Sequence, residues 1–139
     1  TSEREAQTWR YSLESPPANW IESGFDDGAW TSGPGGFGTS QTPGAVVGTQ
    51  WTTHDIYIRR KFTLDADHPA DGLYLRLSHD DDVQVYLDGK KIYESGGWTT
   101  NYQNIPLDAP LRKGEHTLAI HCHQNEGGQF VDAGFVRIH

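Results

Sequence analysis

Residues 51–89 read WTTHDIYIRRKFTLDADHPADGLYLRLSHDDDVQVYLDG, and their patterning decides the fold. Apolar side chains recur with period two in three successive runs. The first holds Ile56, Ile58, Phe62 and Leu64, the second Leu73, Leu75 and Leu77, the third Val83, Val85 and Leu87. Tyr57, Arg59, Lys61, Tyr74, Arg76, Gln84 and Tyr86 fill the positions between. Alternation of this kind predicts strands with one buried and one wet face, as in antiparallel sheets packed on each other. Asp88-Gly89 ends the third run with residues that tolerate positive φ, so a hairpin is expected there, with Lys91-Ile92-Tyr93-Glu94 leading away.

The flanking segments fit the same class. Residues 8–13 (TWRYSL) predict an opening strand stopped by Ser15-Pro16-Pro17. Residues 18–50 are irregular, with Trp20, Phe25, Trp30 and Phe37 spaced among Gly, Asp, Ser and Pro. The stretch GPGGFG at 33–38 lacks the strand-to-helix setting of a phosphate-cradling loop and reads as a surface loop anchored by aromatics. Loops are expected at 95–104 and 124–129, with strands at 117–123 and 130–138. About seven or eight strands and no substantial helix predict an all-β, two-sheet antiparallel β-sandwich. Ile58, Phe62, Leu75, Leu77, Val83, Val85, Leu118 and Ile120 should face inward, since a one-residue slip in register would expose the whole set.

At 139 residues the chain is long enough for one domain with a real core, so residues 1–139 read as a single module. Its 16 glycines and 7 prolines suit many short strands joined by turns, and its 16 aromatic residues argue against disorder. The net charge of −8 gives no expectation of attraction to nucleic acid or to an anionic membrane, and no apolar run approaches the roughly 18 residues of a membrane span. Cys122, the single cysteine, lies in the alternating run Leu118, Ile120, Cys122 and reads as a core residue rather than a nucleophile. With no methionine and Thr1 as its first residue, the sequence looks like a piece cut from a longer polypeptide.

A set of motifs carries a family resemblance. Trp20 and the segment Phe25-Asp26-Asp27-Gly28-Ala29-Trp30 are followed by Gly36-Phe37-Gly38 and by WTTHDIYIRRKF at 51–62. His79-Asp80-Asp81-Asp82, Val85-Tyr86-Leu87-Asp88-Gly89, Gly114, Gly127-Gly128 and Asp132-Ala133-Gly134 complete the set. Together they resemble the galactose-binding-domain-like jelly rolls, in particular the non-catalytic sugar-binding domain of family 2 glycoside hydrolases and related carbohydrate-binding modules. The most specific element is an aromatic-x-Arg-x-x-Phe strand followed by Asp-Asp and Val-Tyr-Leu-Asn-Gly, where this chain has Asp88 for Asn. The resemblance implies a secreted, periplasmic or cell-surface accessory module. Its partners would be an oligo- or polysaccharide of plant or microbial origin and a catalytic domain in the same polypeptide. A purely structural accessory domain, or a surface protein-interaction domain, is the alternative, because fold does not decide between these roles.

Sugar binding needs flat aromatic surface for a pyranose face and planar polar groups for the hydroxyls. Two loops hold that mixture. One carries Trp98, Asn101 and Tyr102; the other runs from His121 and His123 to Gln124 and Asn125. Trp98 reads either as a binding platform or as a plug tucked over the sandwich edge. Trp51 is a further binding candidate, whereas Trp9, Trp20 and Trp30 read as core or loop anchors. The acidic run gives Asp80 and Asp81 as candidate ligands of a structural calcium, with a solvated acidic turn as the ordinary reading. His79, His121 and His123 would form a transition-metal site only if their strands were neighbours. Asp80, Asp81, Glu126 and Asp132 supply carboxylates, but no nucleophile elbow, zinc-protease motif or phosphate loop accompanies them, so a non-catalytic role is expected.

Overall fold

The three alternating runs become three strands of a two-layer sandwich in the computed structural model, which describes residues 1–138. Along the chain the strands are β1 (Thr8–Ser12), β2 (Thr31–Pro34), β3 (Phe37–Gly38), β4 (Thr49–Gln50), β5 (Asp55–Leu64) and β6 (Leu73–Asp80). They continue as β7 (Asp82–Leu87), β8 (Lys90–Ser95), β9 (Gln103–Pro106), β10 (Gly114–His123) and β11 (Phe130–Arg137). The helical content among the described residues is one 3₁₀ turn, Ala18–Ile21. One sheet runs β2-β1-β5-β10-β7-β8 and the other β4-β3-β11-β6-β9. All pairings are antiparallel except the two-residue β3–β4 pair, which is parallel. The strands beyond those expected are the short pieces β2, β3 and β4 within 31–50 and the four-residue β9, which begins inside the expected loop 95–104; all are too brief for any period to register.

The core lies between the sheets. β5 and β10 pair along their full length, from Gly114 opposite Leu64 to His123 opposite Asp55, which sets Ile58 against Ile120. Ile58, Leu75, Leu77, Val83, Val85, Leu118 and Ile120 are buried as expected, and Phe62 packs half-buried against them at one end of the sandwich. Cys122 sits in the same cluster, and burial pushes its thiol well above the ordinary range, which leaves it unreactive. The hairpin forms at Asp88 (φ 52°) and Gly89 (φ 83°), the backbone that a two-residue primed turn demands. Asp88 does more than turn: its Oδ1 accepts from the Thr117 amide at 2.7 Å, tying the turn to β10.

One face departs from expectation. Period two places Tyr57, Arg59 and Lys61 on a wet surface, yet Arg59 is only 1% exposed. Residues 18–30 fold over this outer face of the first sheet. Trp20 meets Tyr57 and Tyr86 edge-on at 5.4 and 5.9 Å and stacks on Trp30 at 6.3 Å. The Arg59 guanidinium donates to the Glu22 carbonyl at 2.7 Å, to the Phe25 carbonyl at 3.4 Å and to the Asp27 carboxylate, with the Phe25 ring beneath it. A guanidinium with several fixed donors can bind a polar loop to a sheet in a way an aliphatic residue cannot.

Candidate functional site

The junction between β6 and β7 organises one end of the sandwich. Asp80 and Asp81, joined by a cis peptide bond, and Asp82 face two loops there, 96–102 and 124–129. The first loop is laid across the end of β6: the Thr99 amide donates to the His79 carbonyl at 2.8 Å, and the His79 amide to Thr99 Oγ1 at 3.0 Å. Asp82 Oδ1 accepts from the Gly97 amide at 2.8 Å, and its Oδ2 from Asn125 Nδ2 at 3.3 Å. The Gly97 amide, followed by Asn125, holds the Asp82 carboxyl below the usual carboxylate range. Asp81 Oδ2 accepts from the amides of Asn125 at 2.8 Å and Glu126 at 3.4 Å. Two of the three carboxylates thus staple the loops rather than face solvent as a simple acidic turn.

Between the loops lies an open groove of about 670 Å³. Trp98 forms one wall and is 67% exposed, so the tucked-plug reading is wrong for this side chain. Glu126, Gly127 and Gly128 form the opposite wall, and Asp80 and Asp81 the floor. Gly128 is needed for this closeness, since a Cβ there would stand 2.6 Å from Asp80 Oδ2. Burial, then the adjacent Asp81 charge and a hydrogen bond between the two carboxyls, raise Asp80 to about 7. A carboxyl on the floor of a groove, able to donate or accept near neutral pH, is well suited to a hydroxyl.

That raised pKa has a consequence for stability. Folded protein binds more protons than unfolded chain between about pH 4 and 7, so this group's contribution to stability declines as pH rises through that window. Asp80→Asn removes the term. The variant is expected to melt above the parent at pH 8 and close to it at pH 4, and melting curves across that range check it.

The structure brings Trp98 and Asn125 together with Asp80 and Asp81, and separates the other sequence-based candidates from them. Trp51 is not a surface group: at 1% exposure it fills the core, with Nε1 donating to Thr53 Oγ1 at 3.0 Å. Tyr102 turns away from the groove. Its hydroxyl donates to Asp132, its ring meets Phe130 edge-on at 6.4 Å, and Arg76 lies over it at 5.1 Å. Desolvation, reinforced by the Asp132 carboxylate, raises the phenol's pKa. Asp132 also accepts from the Ser2 amide and hydroxyl at 2.8 and 2.9 Å, so it is a buried anchor for the N-terminal residues. Asn101 is exposed and does not line the groove. Gln124 braces its own loop, donating from Nε2 to the Gly127 carbonyl at 3.0 Å.

His121 and His123 lie on the outer face of the first sheet, in a separate shallow depression with Gln84 and Glu94. Both hydrogen-bond Asp55 Oδ1 at 2.8 Å. Burial pushes Asp55 up, but these two bonds outweigh it and leave its carboxyl below the ordinary value. His79 is buried, with Nδ1 2.6 Å from the Asp81 carbonyl oxygen, and does not join the other two. Among the described residues no three His, Cys, Asp or Glu side chains are arranged to hold a metal. Asp80 and Asp81 therefore do not fit the calcium expectation, because Asp81 is engaged by backbone amides and Glu126 across the groove is not placed to complete a ligand set with them. Chelation with EDTA is expected to leave the melting temperature unchanged; a clear fall would restore a bound cation.

Of the groove's other residues, Glu126 enters the sequence reading only as one of several carboxylates and Thr100 only as part of the loop 95–104, and Pro43 does not enter it. Nothing local marks them, since their proximity to Trp98 follows from how distant loops meet.

The sequence matches no family model and no curated protein. Solved structures do match. A beta-glycosidase from Bacteroides vulgatus superposes with a TM-score of 0.60 at 14% identity, over 95% of this chain and 20% of that one. A glycosyl hydrolase family 2 member from Bacteroides cellulosilyticus DSM 14838 gives 0.62 at 11%, over 93% and 20%. A beta-glucuronidase from glycoside hydrolase family 2 gives 0.57 at 18%, over 88% and 14%. The chain thus spans a fifth or less of these enzymes, and identities this low speak to fold alone. What the comparisons establish is that this chain has the fold of a β-sandwich domain found within family 2 glycoside hydrolases.

Proposed function

We propose that this domain is a non-catalytic accessory module of a secreted or surface-attached glycoside hydrolase, and that it holds an oligo- or polysaccharide in the groove beside Trp98. The observation that carries the reading is the exposure of Trp98, the most exposed of the large hydrophobic side chains, directly over a polar floor. An indole held this far into water is unfavourable unless a partner covers it. A pyranose ring stacked on it would direct hydroxyls toward Asp80, Asp81 and the Asn125–Glu126 wall. The staples from Asp81 and Asp82 hold the two loops in place before binding, which limits the ordering cost. Affinity is nonetheless expected to be weak, because one aromatic anchor dominates.

Truncating a central aromatic anchor commonly costs about 2 kcal/mol or more, roughly thirtyfold in affinity. Trp98→Ala is therefore expected to abolish retardation by soluble polysaccharide in affinity electrophoresis while leaving the melting temperature within a few degrees of the parent. Trp20→Ala is the control. It uncovers Tyr57 and Tyr86, so it should lower stability and spare the groove. Retention that survives Trp98→Ala on a glycan bound by the parent would move the site elsewhere.

A further inference from the structure

The charges around the groove narrow its ligand, on the assumption that the glycan reading just given is right. The lining contains Asp80, Asp81 and Glu126 and no Lys, Arg or His. Asp80 is only 9% exposed, yet among the described residues no amide, hydroxyl or cation donates to its carboxyl, which lies against the carboxyl of Asp81. A carboxyl this buried normally has a cation or several donors against it. Arg59 and Asp27 show the same fold supplying one elsewhere. Trp98, the exposed aromatic beside it, offers an indole face, the best of the side-chain surfaces for a cation.

We propose that the groove selects glycans bearing protonated amines, a 2-amino-2-deoxy sugar unit whose ammonium pairs with Asp80 while Trp98 takes the ring face. A uronate or sulfated sugar would meet three carboxyl groups and no counter-charge, and is rejected. An N-acetylated sugar loses the ion pair and gains only the stacking.

The selection is linked to protons. Around Asp80 stand Asp81 and Asp82 on its own junction, with His123 beyond Asp82; His79 on β6 turns its ring to the Asp81 carbonyl. Cys122 lies beneath on β10, and Glu126 faces across the groove; loop 96–102 brings no charged group. An ammonium arriving at this site favours the ionised carboxyl, so binding at pH 6 releases a proton from Asp80.

The test is isothermal titration at pH 6 and 0.15 M salt, in two buffers of different ionisation enthalpy. The ligands are a glucosamine hexamer, its N-acetylated counterpart, a neutral glucose hexamer and hexalysine. We expect the glucosamine hexamer to bind at least tenfold more tightly than the other three, with proton release. Asp80→Asn should remove both the advantage and the proton release, with Glu126→Gln weakening the advantage less. Circular dichroism melts establish that each variant is folded. Equal binding of glucosamine and N-acetylglucosamine hexamers that still requires Trp98 overturns the amine selection and leaves the glycan groove standing. Comparable binding of hexalysine overturns it too, since general attraction to an acidic protein then accounts for the gain. An amine advantage that needs Asp80 but survives Trp98→Ala keeps the ion pair and removes the stacking platform. An advantage unchanged in both carboxyl variants overturns the assignment to this groove.

Discussion

Arg59→Ala is expected to destabilise the domain by about 3–5 kcal/mol, the range seen when one partner of a buried ion pair is removed. The size follows from what the guanidinium does. It is buried and satisfies the carbonyls of Glu22 and Phe25 together with the Asp27 carboxylate, so its loss strands several acceptors beneath residues 18–30. It also leaves a void between Phe25 and β5, where Trp20 and Trp30 depend on the same covering segment. Arg59→Lys should rescue little, because a point-like ammonium cannot reach three acceptors held in a fan. Asp27→Ala should cost less than Arg59→Ala, since its carboxylate is partly exposed and has less to lose. Urea midpoints for the three variants check this ranking. An unfolding free energy for Arg59→Ala within about 0.5 kcal/mol of the parent would mean that the covering segment contributes little to the fold.

Trp51→Ala should be comparably damaging, at about 3–5 kcal/mol, for a different reason. Trp51 is buried in the cluster with Ile56, Ile58, Leu75 and Leu77, and its amide donates to the Gly38 carbonyl at 3.1 Å, fixing where the chain enters β5. Replacement opens a cavity at the centre of the sandwich and frees the Thr53 hydroxyl from its indole partner. The residual fold should still bind any glycan the parent binds, at temperatures where it is native. Thermal unfolding and retention at low temperature separate the two effects. Lost retention with unchanged melting would return Trp51 to the binding surface.

The architecture was legible because β5, β6, β7 and β10 set apolar side chains at period two (Ile56 and Ile58, Leu73 to Leu77, Val83 and Val85, Leu118 to Cys122), and one buried face then fixes register. Asp88-Gly89 was legible because its turn makes a local demand on φ. The outer face of the first sheet was not. Period two tells which side chains share a face, but a face covered by an irregular aromatic segment looks the same as one facing water, and Arg59 suits both. Trp51 and Trp98 illustrate the limit from the other side. Both are tryptophans flanked by Thr and Gly or Gln in loops, and only long-range packing buries one and leaves the other exposed. Tyr102 was linked to Trp98 by proximity in sequence, but it stands at the entry to β9 in the second sheet, and its hydroxyl finds Asp132, thirty residues on. The acidic run was read as a turn or a calcium site. Its actual work, stapling loops at 97 and 125–126, depends on partners up to 45 positions away.

The most direct test of the groove is residue-level mapping of a bound glycan by ¹H–¹⁵N correlation spectra, titrated with an oligosaccharide that the domain retains. The largest shifts are expected at the Trp98 indole N–H and at the amides of Gly97, Thr99, Asn125, Glu126 and Gly128, with the Trp51 indole and the Tyr102 amide undisturbed. Shifts centred instead on His121, His123 and Gln84, with the Trp98 indole unmoved, would contradict the groove assignment.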